Sequence, residues 1–469
     1  MNKALSKGII RILVINIINL LFNLISNFVI PKYLSVDTYA DLKTYQLYVN
    51  YLGLLHLGFI DSLYLKYGGK KYEEINSDTF KKEIAVFRAF QGIVSILILL
   101  FAIFIRDYIL VFVALSLLPY NMFGGFKILY QAIGEFKAYS RIMGMNTIAL
   151  FCVNMSLIFV VKTDNYAIYL LGNLIIDVLL WGALETYNAK IIGKSSVVQF
   201  FLFDVRIFVQ NVKNGILLML GNFISLLLTG IDRCFVKLLL TNLDFAQYSF
   251  AVSIENFINF AVTPVTSTLY NYFCYPHENS EFSRIKKYIL MFSSLIIACA
   301  FPAKFILEHY LFSYVDATKV VFLLFASQLF FIVIKSIYVN AYKAEKRQKV
   351  YFVKMSAVII VGIILNVICY IIMGTKEAFA LGTLLSAVIW YILCQPDFAH
   401  FKMTVKENIY VFIVLLCFLY SGFMLNSVAG LLVYITAVLL LDFLFMKEEL
   451  FILYGMIYKK VKNVLSKKA

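Results

Sequence analysis

Asn16, Asn19, Asn23 and Asn27 recur at intervals of three or four residues within the first long apolar stretch of this chain. At 100° per residue they fall within an arc of about 80° of one helical face. An amide donates and accepts hydrogen bonds at once, so such a stripe can hold water, a hydroxyl-bearing ligand or a neighbouring helix. The second apolar stretch repeats the device with Gln46, Asn50, Gly53, Asp61 and Tyr64 on a comparable arc and His56 at its edge. The seventh carries Asn214, Asn222, Ser225, Thr229 and Asp232, and the eighth carries Ser249, Ser253, Asn256, Asn259, Thr263 and Tyr270. The third, through Ile93-Val94-Ser95-Ile96-Leu97-Ile98, is nearly featureless. A single Asn, Ser or Thr in such a stretch reads as a bond between helices. Four stripes in corresponding places read better as the walls of a water-filled cavity, because polar groups facing lipid are costly. The cavity candidates are Asn16, Asn19, Asn23, Asn50, His56, Asn222, Thr229, Asn256 and Asn259.

Ionisable side chains inside apolar stretches add a second chemistry. Asp177 sits in the middle of the sixth stretch, where it must be protonated, paired or wet; a coupling or gating role and a structural partner are both open. Glu255, a turn or two inside the eighth, poses the same choice. Asp232-Arg233 is either an ion pair or part of a gate. Arg11, Lys66 and Arg88 lie at the inner ends of the first three stretches, where they either snorkel to the interface or together engage a phosphate.

These residues need helices that cross a membrane to position them. The chain is 62% hydrophobic and 15% charged, with mean hydropathy +0.85, which is outside the range of soluble domains. About fourteen apolar stretches of roughly 18–25 residues follow, each long enough to cross a ~30 Å hydrocarbon core as a helix. They fall near 9–30, 44–65, 84–105, 108–130, 142–161, 166–188, 215–237, 245–270, 288–307, 319–341, 352–373, 378–395, 408–425 and 428–446. Continuous rather than alternating apolar runs exclude a β-barrel. With the N-terminus in the cytoplasm, about 32 of the 42 Lys and Arg fall on inside segments and about 9 on outside turns. That asymmetry predicts both termini inside. Lys335 remains within a span, near enough to its inner end to snorkel. The net charge of +15 is therefore mostly topology and contact with membrane lipids, and a nucleic-acid partner is not indicated.

Shifting the chain by 206 positions places Asn16 on Asn222, Asn19 on Ser225, Asn23 on Thr229 and Asn50 on Asn256. A shift of 212 places Tyr130, Ala132, Lys137 and Tyr139 on Tyr342, Ala344, Lys349 and Tyr351. Two halves of six spans each are predicted: an N-terminal bundle over 1–200, a C-terminal bundle over 201–400, and an extra helix pair with a basic amphipathic tail over 401–469. The seven cysteines form no CxxC and read as packing residues. No enzyme signature or histidine metal site is present, so neither a catalytic residue, a cofactor nor a metal is expected.

Several local motifs are similar to those of a known family: Val36-Asp37-Thr38-Tyr39-Ala40-Asp41, Leu57-Gly58-Phe59-Ile60-Asp61-Ser62-Leu63 and Gly134-Glu135-Phe136-Lys137-Ala138-Tyr139. Lys213-Asn214-Gly215-Ile216, Asp232-Arg233 and Phe245-Ala246-Gln247-Tyr248-Ser249 supply the second half. With fourteen spans in a six, six and two arrangement, the chain resembles the polysaccharide-repeat flippases of the multidrug/oligosaccharidyl-lipid/polysaccharide superfamily, which serve O-antigen, capsule and exopolysaccharide pathways. Ala40 stands where that family often has glycine. The resemblance implies translocation of a polyprenyl-diphosphate-linked oligosaccharide across the bacterial cytoplasmic membrane by rocking of two bundles. It implies Arg11, Lys66 and Arg88 as diphosphate ligands, and Asp61, Asp177, Asp232, Arg233 and Glu255 as coupling or gating groups. A polysaccharide polymerase and export machinery are its implied partners. A cation-coupled drug antiporter, or a membrane-bound polymerase or acyltransferase, is the competing expectation.

Overall fold

The computed structural model describes residues 3–68, 70, 72–191, 201–228, 230–273, 279–452 and 455, with side chains of the first helix from Ile17 onward. The predicted amphipathic tail lies almost wholly outside the described residues, as do Thr229 and the side chains of Arg11 and Asn16. The fold is all-α, an assembly of membrane-spanning helices. Among the described residues, eleven helices are long and apolar enough to cross a membrane. The three predicted spans outside that set are the first, second and eighth, all of which carry polar stripes.

Two compact units divide the chain, Met1–Thr229 and Gly230–Ala469. The first unit contains α1 (Lys3–Tyr33), α2 (Val36–Tyr51), α3 (Phe59–Tyr67), α4 (Ser77–Ile105), α5 (Tyr108–Ala132), α6 (Phe136–Ser156), α7 (Tyr166–Ile191) and α8 (Val205–Leu228). The second span is thus two helices, α2 and α3, joined by a 3₁₀ turn over Leu52–His56. Leu57 and Gly58 follow with φ of 49° and 81°, left-handed conformations that no α-helix continues through. An interruption inside a membrane frees backbone groups that need partners from the protein. Here Gln91 Nε2 donates to the Leu55 carbonyl at 3.2 Å, and Asn121 Nδ2 donates to the Leu52 carbonyl at 3.2 Å and to Gln91 Oε1 at 2.7 Å. His56 Nδ1 accepts the Gly58 N–H at 3.0 Å. Gln91 belongs to the helix whose sequence reads as nearly featureless.

The restarted α3 lies directly against α8. A methyl group on Gly215 would come within 1.9 Å of the Gly58 carbonyl oxygen and 2.5 Å of the Ser62 nitrogen. Only glycine lets the two backbones approach this closely. Phe59, Phe87 and Phe208 stack beside the seam, and Ser62 Oγ donates to Asn211 Oδ1 across it at 2.8 Å.

The second unit contains α9 (Ile231–Leu239), α10 (Asn242–Glu255), α11 (Ile258–Phe273), α12 (Asn279–Ile296), α13 (Ala300–Tyr310), α14 (Thr318–Val333), α15 (Val339–Ala344), α16 (Gln348–Met373), α17 (Lys376–Cys394), α18 (Val405–Met424) and α19 (Ser427–Phe445). Its axis is α14, which continues through a π-helical turn at Ile334–Tyr338 into α15. Apart from Thr318 and Lys319, every residue of α14 is buried, as an all-round apolar helix should be. By contrast α4 turns Leu97, Leu100 and Phe104 outward to the lipid. The final pair, α18 and α19, is joined to α12 and α13 by buried polar contacts. Lys304 donates to the Gly422 and Leu425 carbonyls at 2.8 and 2.6 Å and so caps the end of α18. Lys286 pairs with Glu407 at 3.2 Å, Tyr410 donates to Asp442 at 2.6 Å, and Tyr434 donates to the Ser294 carbonyl at 2.7 Å. Lys304, which the charge pattern assigns to an outside turn, is thus a buried structural cation.

The α3–α8 seam makes a direct prediction. Gly215→Ala forces backbone against backbone, where no side-chain rotation gives relief, and should destabilise the protein by about 2–4 kcal/mol. Thermal unfolding of the purified variant, read by intrinsic fluorescence in detergent, checks it; an unchanged Tm would show that the seam opens freely.

Candidate functional site

The predicted polar residues assemble into clusters within each unit, and the helix interruptions organise them. Asp61 occupies the first turn of α3 and Asp232 the first turn of α9, so each carboxylate lies at the positive end of a restarted helix. Glu255 is the last residue of α10, immediately before the turn that separates it from α11. All three predicted coupling carboxylates outside Asp177 therefore stand within three residues of a break.

In the first unit Asp61 is buried. Its Oδ1 accepts from Asn222 Nδ2 at 3.2 Å, and its Oδ2 lies 3.8 Å from His56 Nε2. Thus Asp61, His56 and Asn222, predicted separately, form one cluster. Asn19 is buried with an unsatisfied amide oxygen, whereas Asn50 is exposed. Asn23 lines a cavity between α1, α2, α6 and α7. Asp177 is half-buried, near the hydroxyls of Tyr45 and Tyr120, and has no ion-pair or hydrogen-bond partner among the described residues.

Two of the three cations proposed for a phosphate, Lys66 and Arg88, already have carboxylate partners. Lys66 Nζ lies 2.6 Å from Glu83 Oε1, and the Tyr67 hydroxyl donates to the other Glu83 oxygen at 2.5 Å. Arg88 is buried and lies 2.6 Å from Glu185, which also accepts from the Trp181 indole at 2.9 Å. Lys66 stays partly exposed and can exchange its carboxylate for another anion; Arg88 is enclosed.

In the second unit Asp232 is buried beneath three donors: the Tyr248 hydroxyl at 2.5 Å, the Arg233 backbone N–H at 2.8 Å and the Thr383 hydroxyl at 3.5 Å. Three helices, α9, α10 and α17, thereby converge on one carboxylate. The side chain of Arg233 makes no ion pair with Asp232 among the described contacts, and its Nε is buried without a partner. Glu255 accepts from Gln328 of the central helix α14. Asn256 is exposed and accepts from Asn259 Nδ2 at 3.3 Å. Lys335 lies in the π-helical turn, its ammonium 5.7 Å from the centre of the Phe331 ring.

Gln91, Asn121, Gln328 and Thr383 carry no clear signal in the sequence, since none belongs to a stripe of amides or acids on its largely apolar helix. Asn146, Asn154 and Asn173 are equally inconspicuous, although Asn146 and Asn154 stand eight residues apart and so share a helical face.

With the geometry in place, comparison with known proteins defines the class of fold. No protein-family model matches the sequence, and no curated protein matches it. A solved structure described as lipid II flippase MurJ in its inward closed conformation superposes with a TM-score of 0.60 and 14% identity, covering 94% of this chain and 99% of that one. A MATE structure in the straight conformation gives 0.46 and 10% over 88% and 96% of the two chains. A mutant of the Vibrio cholerae MATE transporter VcmN gives 0.42 and 12% over 85% and 99%. The chain therefore has the multi-pass fold of the MurJ structure over nearly its whole length.

Asp232 yields the second prediction. Asp232→Asn keeps an acceptor for Tyr248 and should change stability by less than about 1 kcal/mol, whereas Asp232→Leu strands the Tyr248 hydroxyl and should cost about 1–3 kcal/mol. Thermal unfolding of both variants checks the order; equal losses would show that the hydrogen bonds are not what matters there.

Proposed function

We infer that the chain is a flippase that moves a polyprenyl-diphosphate-linked oligosaccharide from the inner to the outer leaflet by alternating access. The observation that carries this reading is the full-length likeness in fold to a lipid II flippase. The polar clusters at helix interruptions support it, since irregular backbone at membrane depth belongs where protein or a cavity covers it. In this reading the glycan meets the amides and His56 that the sequence singles out. Asn16 and Thr229 join Asn19, Asn23, Asn50, Asn222, Asn256 and Asn259 in that role. The diphosphate meets Arg11, Lys66 and Arg88, displacing Glu83 from Lys66. Asp61, Asp177, Asp232, Arg233 and Glu255 couple the cycle to an ion or to the membrane potential, with the unpartnered Asp177 the strongest of them. The protein works in the bacterial cytoplasmic membrane with both termini inside, its two six-helix bundles flanking the pathway and its extra pair to the side. It delivers its cargo to a polysaccharide polymerase and export machinery.

The test is leaflet exposure in cells of the native strain lacking this protein. Intact lipid-linked units should be trapped on the cytoplasmic face and released by the wild type. Asn50→Leu or Asp177→Ala should restore delivery at least about tenfold less well, the effect of removing ~1.4 kcal/mol of interaction. Units that reach the outer face yet stay unpolymerised would overturn the flippase reading in favour of an enzyme.

A further inference from the structure

The first unit holds a partly open cavity of about 320 Å³ between α1, α2, α6 and α7. Six amides face it: Asn23 and Asn27 from α1, Gln46 from α2, Asn146 and Asn154 from α6, and Asn173 from α7. Among the described residues, none of their side chains hydrogen-bonds to another protein group, and the amide oxygens of Asn146 and Asn173 are fully buried without a partner. Polar atoms enclosed in a membrane protein are ordinarily bonded to one another. Asn23 and Gln46 are exposed and the other four amides half-buried; the two buried, unbonded oxygens of Asn146 and Asn173 mark a place that is completed from outside the chain.

The remaining lining narrows the chemistry. Phe22, Tyr39, Phe151 and Tyr169 contribute ring surface, with the Phe22 and Phe151 centroids 4.5 Å apart. Among the described residues no carboxylate lines the cavity, and Lys43 does, so a metal cation finds no counter-charge there and meets a repelling ammonium. Lys43 stands 5.2 Å from the centre of the Tyr39 ring and is the one cation in the lining among the described residues, which is little for a multiply charged anion. The volume holds about ten waters, or one small ring, at the lower end of ligand-pocket sizes. Where the cavity nears the turns between α1 and α2 and between α6 and α7, these are tied together. The Ser35 N–H donates to Asp164 Oδ1 at 3.0 Å, and the Thr38 hydroxyl donates to the Asp164 carbonyl at 2.9 Å.

We propose that this cavity is a subsite for a single neutral pyranose ring of the translocated glycan. Hydroxyls around such a ring donate and accept in every direction, as six amides require, while its C–H faces rest on aromatic rings. The proposal rests on the flippase reading and adds to it a defined carbohydrate pocket inside one unit.

The experiment uses the purified full chain in detergent and a panel of free pyranoses: methyl glucoside, methyl galactoside, rhamnose and N-acetylglucosamine. At least one should raise Tm saturably, with a Kd of about 1–10 mM, as a small neutral ligand allows. Asn146→Leu and Asn173→Ala should weaken that binding at least tenfold. Comparison with the variants removes the general co-solvent effect of sugars. Asn173→Ala only deletes atoms, so it serves if Asn146→Leu does not fold. The absence of a saturable shift with any pyranose, a shift that both variants retain, or a shift with Na⁺ in place of sugar would overturn the subsite. The leaflet-exposure assay separates this failure from that of the larger reading. Trapped units without sugar binding would sink the subsite alone, and sugar binding without trapping would sink the flippase alone.

Discussion

Hydrocarbon cannot hydrogen-bond a carbonyl or an N–H, and the architecture of this protein follows from that constraint. A helix that runs unbroken through the bilayer meets it from within. A helix that breaks must borrow partners, and the second span borrows them from Gln91, Asn121 and His56. Those three side chains hold open a break that would otherwise close into regular helix or be driven out of the membrane. What the break provides is position: α3 restarts against α8 at glycine-to-glycine distance, with Asp61 in its first turn and Asn222 within reach.

The second unit uses the same logic with other residues. Asp232 opens α9 after an interruption and gathers donors from α10 and α17, while Glu255 closes α10 before another and takes a donor from α14. Asp61 and Asp232 thus sit where helices start, because a restarted helix presents unpaired N–H groups and a favourable dipole to a carboxylate, whereas Glu255 meets the carbonyl end of α10 and relies on Gln328. The buried axis α14 and the lysine-capped terminal pair frame this unit, and α10 packs into it with every residue from Phe245 to Val252 buried.

Charge is distributed with equal economy. About 32 of the 42 basic residues fall on segments that the charge asymmetry predicts to be cytoplasmic. A few basic residues instead serve the packing: Lys304 and Lys286 are buried in structural contacts, and Arg88 is enclosed with Glu185. Asp177 departs from this pattern, a half-buried carboxylate with no partner among the described residues. An unpartnered acid in a span is a costly feature to retain for packing alone.

The sequence by itself determined the all-α membrane class, since apolar runs of spanning length admit only helices or barrels and the lack of alternation removes barrels. It also determined which helices would be polar, because a 3.6-residue period shows in any stripe of four amides. Only the tertiary structure decided which of those stripes break, as three of the four polar spans do. A break depends on partners elsewhere in the chain: nothing near Leu52 or Leu55 announces that Gln91 and Asn121 will meet their carbonyls. Tertiary packing likewise brought Asp61, His56 and Asn222 together and gathered six amides from four helices around one cavity. Those amides are one or two to a helix, and on α6 and α7 too few to form a periodic signal. Periodicity records the face that one helix turns inward, whereas a site is made of what several helices turn toward the same point.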